Sequence, residues 1–174
     1  MRARFRYAAT ACASAAVVAS LTGCGQPLAG VTGVTVTADG RPVGVLMVCD
    51  DHIDGATLYT DGPGDDTTDV ATWSRAEPVT GFVSWPMDAA GEGWSVDRAM
   101  PAALERQRTY TLYGWTEDNS WSTAHVSFDL TRLAGLTPGQ VRYFAGDDVK
   151  GADADGNRTA ASVAEFRTAA CDDA

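Results

Sequence analysis

Lysine is almost missing from this chain: Lys150 is the only one among 13 basic side chains, which face 23 acidic ones for a formal net charge of -10. Binding a polyanion relies on Lys and Arg displacing counterions, so this balance excludes nucleic acid as a partner. Histidine is nearly as scarce, and only His52 and His125 could serve as imidazole bases. No Gly-x-Ser-x-Gly elbow presents a nucleophile, and the chain has neither a Gly-rich phosphate loop nor a dinucleotide fingerprint. These gaps close the usual routes to ATP, NAD and serine-hydrolase chemistry, so neither a catalytic residue nor a cofactor is expected. A membrane-spanning run is lacking too. The apolar stretch Tyr7 to Leu21 is fifteen residues long, short of the about 20 that a bilayer-crossing helix needs.

What stands at that end of the chain is more specific. Arg2, Arg4 and Arg6 precede the apolar stretch, and small residues lead from it to Cys24. A basic start followed by about 7 to 15 apolar residues is the layout of a secretory signal. Leu21-Thr22-Gly23-Cys24 resembles a lipobox, the motif of bacterial lipoproteins. The resemblance implies a diacylglyceryl group on the Cys24 thiol, cleavage between Gly23 and Cys24, and a new amino terminus open to acylation. It also implies a place on the extracytoplasmic face of the cell membrane, since two acyl chains suffice for stable anchoring. On this reading residues 1–23 are a signal peptide, 24–30 a short tether and 31–174 a single domain. Fully extended, Gly25 to Gly30 would reach about 20 Å. Lipobox, Ala-rich signal and Arg in place of Lys together resemble small lipoproteins of the actinobacterial type.

Removing residues 1–23 takes away three Arg and no acid, leaving 10 basic and 23 acidic side chains and a formal net charge of -13. Such a body is repelled by an anionic leaflet, so the lipid, and no protein surface, is expected to hold it there. Cys12 leaves with the signal and Cys24 goes to lipid, which leaves Cys49 and Cys171. Two thiols in an oxidising compartment are expected to pair. In the chain-entropy model that bridge contributes about 4 to 5 kcal/mol. A competing reading starts from Cys49-Asp50-Asp51-His52, whose C-x-x-H spacing with the nearby carboxylates and Cys171 describes a metal-handling or redox protein. It requires reduced thiolates. Asp153-Ala154-Asp155-Gly156-Asn157 has the composition of a calcium loop, but an EF-hand puts Gly at its sixth position and Glu at its twelfth. Here those positions hold Arg158 and Ala164, so a solvated acidic loop and no metal site is expected.

The rest of the chain reads as short strands between turns. Asp39-Gly40 joins β-branched runs near 31–37 and 43–49, a strong hairpin signal. Further strands are expected at 53–60, 70–75, 79–85, 109–116 and 121–128, with a long loop over 86–101. Asp129 then caps a short helix to about Leu136, residues 140–144 form a strand, 146–157 a mobile loop, and the alternation over 162–168 a last strand running into Cys171. Leu104 stands six residues before Tyr110, which opens an alternating strand. This resembles the tyrosine corner of immunoglobulin-like and fibronectin type III domains, whose Tyr hydroxyl bonds to the backbone upstream. Arg106 and Arg108 depart from the residues that family often has there. The fold expected is an all-β immunoglobulin-like sandwich, with one short helix after the main strands and a C-terminal strand tied back by a disulfide.

Register supplies the candidate binding surface. If Trp115 pairs with Trp121, then Leu112 faces Ala124 and Tyr110 faces Val126, which gives that hairpin one apolar face. The opposite face would show Tyr113, Trp115, Trp121, Thr123 and His125. Aromatic rings on an outer sheet face can carry a sugar or peptide. The partner expected is a cell-wall glycan, a peptide or an envelope protein, unless residues 140–170 fold over this face and make it a second core.

Overall fold

The computed structural model of this protein describes residues 25–63, 66–147 and 149–172. The expected signal at 1–23 and the expected lipidation site Cys24 lie outside the described residues. In chain order the elements are β1 (Leu28–Val36), β2 (Pro42–Asp61), β3 (Thr67–Pro86), β4 (Trp94–Arg98), β5 (Tyr110–Trp115), β6 (Ser122–Ala124), β7 (Val126–Phe128), α1 (Leu130–Ala134), β8 (Val141–Phe144), β9 (Asn157–Ala160) and α2 (Val163–Asp172).

The protein is mostly β, and these nine strands belong to one sheet. β1 and β2 form the expected hairpin, turning where Gly40 takes φ 79° and its N–H donates to the Thr37 carbonyl. β2 and β3 run long enough to serve two halves of the molecule. The first part of β2 pairs with β1 on one edge and β3 on the other, whereas Gly55 to Tyr59 pair with β5. β1 then pairs in parallel with β6, and β6 pairs with β5. That path closes β1, β2, β5 and β6 into a small barrel.

Closure gives the sheet an inside and an outside. Inside lie Val34, Val36, Leu46, Val48, Ile53, Leu58, Leu112, Val126 and Phe128, with Trp73, Trp85 and Trp94 at one side. Alternate residues of the same strands point outward, and Val31, Val43, Val45 and Met47 join Val141, Tyr143, Phe166 and Ala170 in a second cluster beneath α2.

Several expectations hold in detail. Cys49 and Cys171 are disulfide-bonded, with Cα atoms 5.6 Å apart. The Tyr110 hydroxyl accepts the Glu105 N–H at 2.7 Å, which is the upstream backbone bond of a tyrosine corner. Asp129 caps α1 by accepting the Arg132 N–H at 2.7 Å.

Others are corrected. Residues 162–168 are not a strand: they open α2, whose Ser162 hydroxyl accepts the Glu165 N–H at 3.1 Å while the Glu165 carboxylate accepts the Ala161 N–H at 2.8 Å. This pair is a variant of the capping box, with Glu165 reaching the N–H one residue before the Ser162 cap, and such a helix-start signal outweighs the alternation. The expected loop over 86–101 contains β4, paired with β3, and the segment after the acidic loop supplies β9, paired with β8. The expected tether is also fastened down. The Gln26 side chain donates to the Asn119 carbonyl, Pro27 accepts the Ser122 N–H at 3.1 Å, and β1 starts at Leu28.

Candidate functional site

The β5 to β7 hairpin departs from the expected register in a way that builds a site. Tyr110 pairs with Phe128, not Val126; Leu112 pairs with Val126, not Ala124; and Trp115 pairs with Ser122, not Trp121. From Leu112 to Trp115 the first strand advances three residues, while from Val126 back to Ser122 its partner advances four. One extra residue on one strand is a β-bulge, which locally re-aims side chains. Here it falls at His125, the break between β6 and β7. Inside the barrel the Thr123 hydroxyl accepts the Gly114 N–H at 2.7 Å and bonds to the Thr32 hydroxyl. His125 is exposed and stacks on Phe144 of β8, with ring centres 5.6 Å apart and planes 24° apart.

Next to this bulge lies a cleft of about 470 Å³. Its aromatic lining is Tyr59, Tyr113, His125 and Phe144; Gln26, Thr67, Asp69 and Ser122 add polar groups, and Leu28, Thr123 and Ala124 complete it. Tyr59 and Tyr113 meet edge to face with centres 5.8 Å apart. Burial pushes the Tyr59 phenol above the ordinary tyrosine value, helped by the Asp61 charge, and does the same to Tyr113, helped by Asp69. Both hydroxyls therefore stay protonated at neutral pH and can donate as well as accept hydrogen bonds.

Of the five residues expected to form a binding face, the structure brings Tyr113, Thr123 and His125 to this cleft. Trp115 and Trp121 do not line it. The Trp115 ring lies flat over Gly55, where a Cβ would come within 2.2 Å of the ring, and its indole N–H donates to the Thr57 hydroxyl at 2.9 Å. Trp121 packs against the inner core. Residues 140–170 lend Phe144 to the cleft wall, while α2 covers the outer face of β1 and β2 elsewhere. Local sequence patterns do not reach Tyr59, Asp69 and Phe144, which arrive from strands far apart in the chain. Gln26 and Leu28 fall in the segment expected to be a free tether, where no lining residue is looked for.

The cleft holds a serine, a histidine and an aspartate, the residue types of a hydrolytic triad. Such chemistry needs nucleophile and base within hydrogen-bond reach, and among the described residues no hydrogen bond joins Ser122 to His125. The Cys49 to His52 segment is arranged differently from a metal site. Both sulfurs are in the disulfide, His52 Nδ1 is bonded to the Asp51 carboxylate, and His52 Nε2 lies 3.4 Å from an Asp54 oxygen. Among the described residues no group of three or more His, Cys, Asp or Glu side chains is placed to hold a metal ion. A metal or redox role would require the bond to be reduced first. Asp153 of the acidic loop is an anchor: its carboxylate bonds to Arg142 and accepts the Asp155 and Asn157 N–H groups at 3.1 and 3.0 Å.

No helix among the described residues is long and apolar enough to cross a membrane. Compared with protein-family models, with curated proteins and with solved structures, the chain matches none.

Proposed function

We propose that this protein is a lipid-anchored extracytoplasmic lipoprotein, held by Cys24, that binds a ligand without transforming it. The observation that carries the reading is the cleft beside the His125 bulge, where four aromatic rings stand among hydroxyl, amide and carboxylate groups. Rings supply stacking area at little entropic cost, and fixed polar groups supply orientation. That combination suits a hydroxyl-rich glycan or a peptide from the cell envelope. Asp69 and the acidic body disfavour a polyanionic ligand. The immunoglobulin-like kinship is part of the same proposal and is supported by the tyrosine corner at Tyr110.

Two measurements test it. Mass spectrometry of native material is expected to find cleavage before Cys24 and acyl chains on it; an intact, unmodified N-terminus overturns the anchor. Tyrosine fluorescence titrated with neutral oligosaccharides and cell-wall peptides is expected to report saturable binding. Tyr113→Ala should weaken that binding about tenfold, about 1.4 kcal/mol. Unchanged affinity in that variant removes the cleft as the site.

A further inference from the structure

The cleft wall begins almost at the anchor. Gln26 and Leu28 line it, and Gln26 is held by Asn119 across the turn between β5 and β6. Only Gly25 separates Gln26 from Cys24, and two residues span at most about 7 Å. An acyl group on Cys24 would therefore hold the Gln26 rim of this cleft close to the bilayer surface. Leu28, half exposed at 50%, gives that rim an apolar edge. The polar lining offers two phenols, the Thr67 hydroxyl, an amide and the Asp69 carboxylate, but no Lys or Arg to pair with a phosphate.

We propose that the cleft takes the uncharged sugar headgroup of a glycolipid lying in the same leaflet as the anchor. The proposal rests on the binding reading above and names its ligand class. The sugar rings stack against Tyr59 and Tyr113, their hydroxyls bond to Asp69 and Gln26, and Leu28 meets the glycerol end of the lipid. Because anchor and ligand share a surface, binding is effectively intramolecular and the short tether raises the local concentration.

The test uses the full lipidated protein in phosphatidylcholine nanodiscs, with or without digalactosyl diacylglycerol, and reads nitration of Tyr59 and Tyr113 by mass spectrometry. Nitration is expected to slow several-fold only when the glycolipid is present. A variant with about 20 flexible Gly/Ser residues inserted between Gly25 and Gln26, about 25 Å of added reach, should lose most of that protection while keeping its response to free galactobiose. If free galactobiose protects both tyrosines but glycolipid discs do not, the membrane-borne ligand is overturned and the binding cleft stands. The membrane-borne ligand also falls, with the cleft intact, if phosphatidylglycerol discs protect as well as glycolipid discs, if a cell-wall peptide protects in place of any sugar, or if the long-tether variant keeps full protection. If none of these ligands protects, the binding reading falls together with this one.

Discussion

The two faces of β1 and β2 hold apolar clusters of unlike construction. Inside the barrel, Val34, Val36, Leu46 and Val48 are enclosed by the sheet's own closure, with contributions from strands β1 to β5, from β7 and from α1. Outside, Val31, Val43, Val45 and Met47 are roofed by one ten-residue helix at the end of the chain. An isolated helix shorter than about 12 to 15 residues is marginal in water. The inner cluster is therefore distributed over many pairings, while the outer one depends on keeping a single piece docked. The Cys49–Cys171 bond performs that docking, joining α2 to β2 across a sequence separation of 122.

Breaking the bond is the largest perturbation available. Cys49→Ser with Cys171→Ser should lower stability by about 4 to 5 kcal/mol, mainly by releasing the unfolded chain, as measured by denaturant unfolding. None of the five tryptophans belongs to the outer cluster, so their near-ultraviolet circular dichroism reports on the rest of the barrel. If the clusters are separable, the variant loses helical signal before the tryptophan signal. A single coincident transition would show that they unfold as one unit.

Phe166→Ala attacks the same roof without touching the bond. Phe166 is fully buried and meets Tyr143 edge to face at 5.3 Å. Removing it should cost about 3 to 5 kcal/mol, with the tryptophan environment less affected than in an equivalent inner change such as Leu112→Ala. Equal loss of tryptophan signal in both variants contradicts the contrast. A weaker probe is Ser162→Ala, which removes one half of the capping box and should cost about 1 kcal/mol. Thermal unfolding followed at a helix wavelength checks it, and no shift in midpoint would mean that packing alone sets the helix start.

The roof is also the hardest part to read from sequence. Over 162–168 the residues fit a period of two, yet Val163, Phe166 and Ala170 also fit one helical stripe, and Ser162 with Glu165 decides between them. Short-range signals are readable: the Asp39-Gly40 turn, the Asp129 cap and the Tyr110 corner each depend on residues a few positions apart. The Cys49–Cys171 pair follows by elimination, once Cys12 and Cys24 are assigned to the signal and the lipid. Barrel closure is not readable, because β1 meets β6 in parallel with no turn to announce it. The candidate site is half legible for the same reason. Alternation puts Tyr113 on an outward face, but nothing local marks the bulge at His125, and no pattern links Tyr59, Asp69 and Phe144 to it.

The smallest effect belongs to the joint between the clusters. β2 passes from one half of the barrel to the other through Cys49 to His52, where its register with β3 breaks and Asp51 adopts φ 50°. A hydrogen bond to the Asp51 carboxylate raises the His52 imidazole above its ordinary pKa, and the Asp54 charge adds to the rise. A group whose folded pKa is raised stabilises fully below its unfolded pKa and loses that contribution as pH climbs through the folded value. The His52 side chain is 37% exposed, so screening keeps the gain small. Wild-type protein should thus lose a little stability relative to His52→Gln as pH rises above the ordinary histidine value of 6.5. Parallel midpoints for the two proteins as pH rises would show that the protonated imidazole does not brace the register break, and would leave that role to the disulfide and the flanking strand pairing.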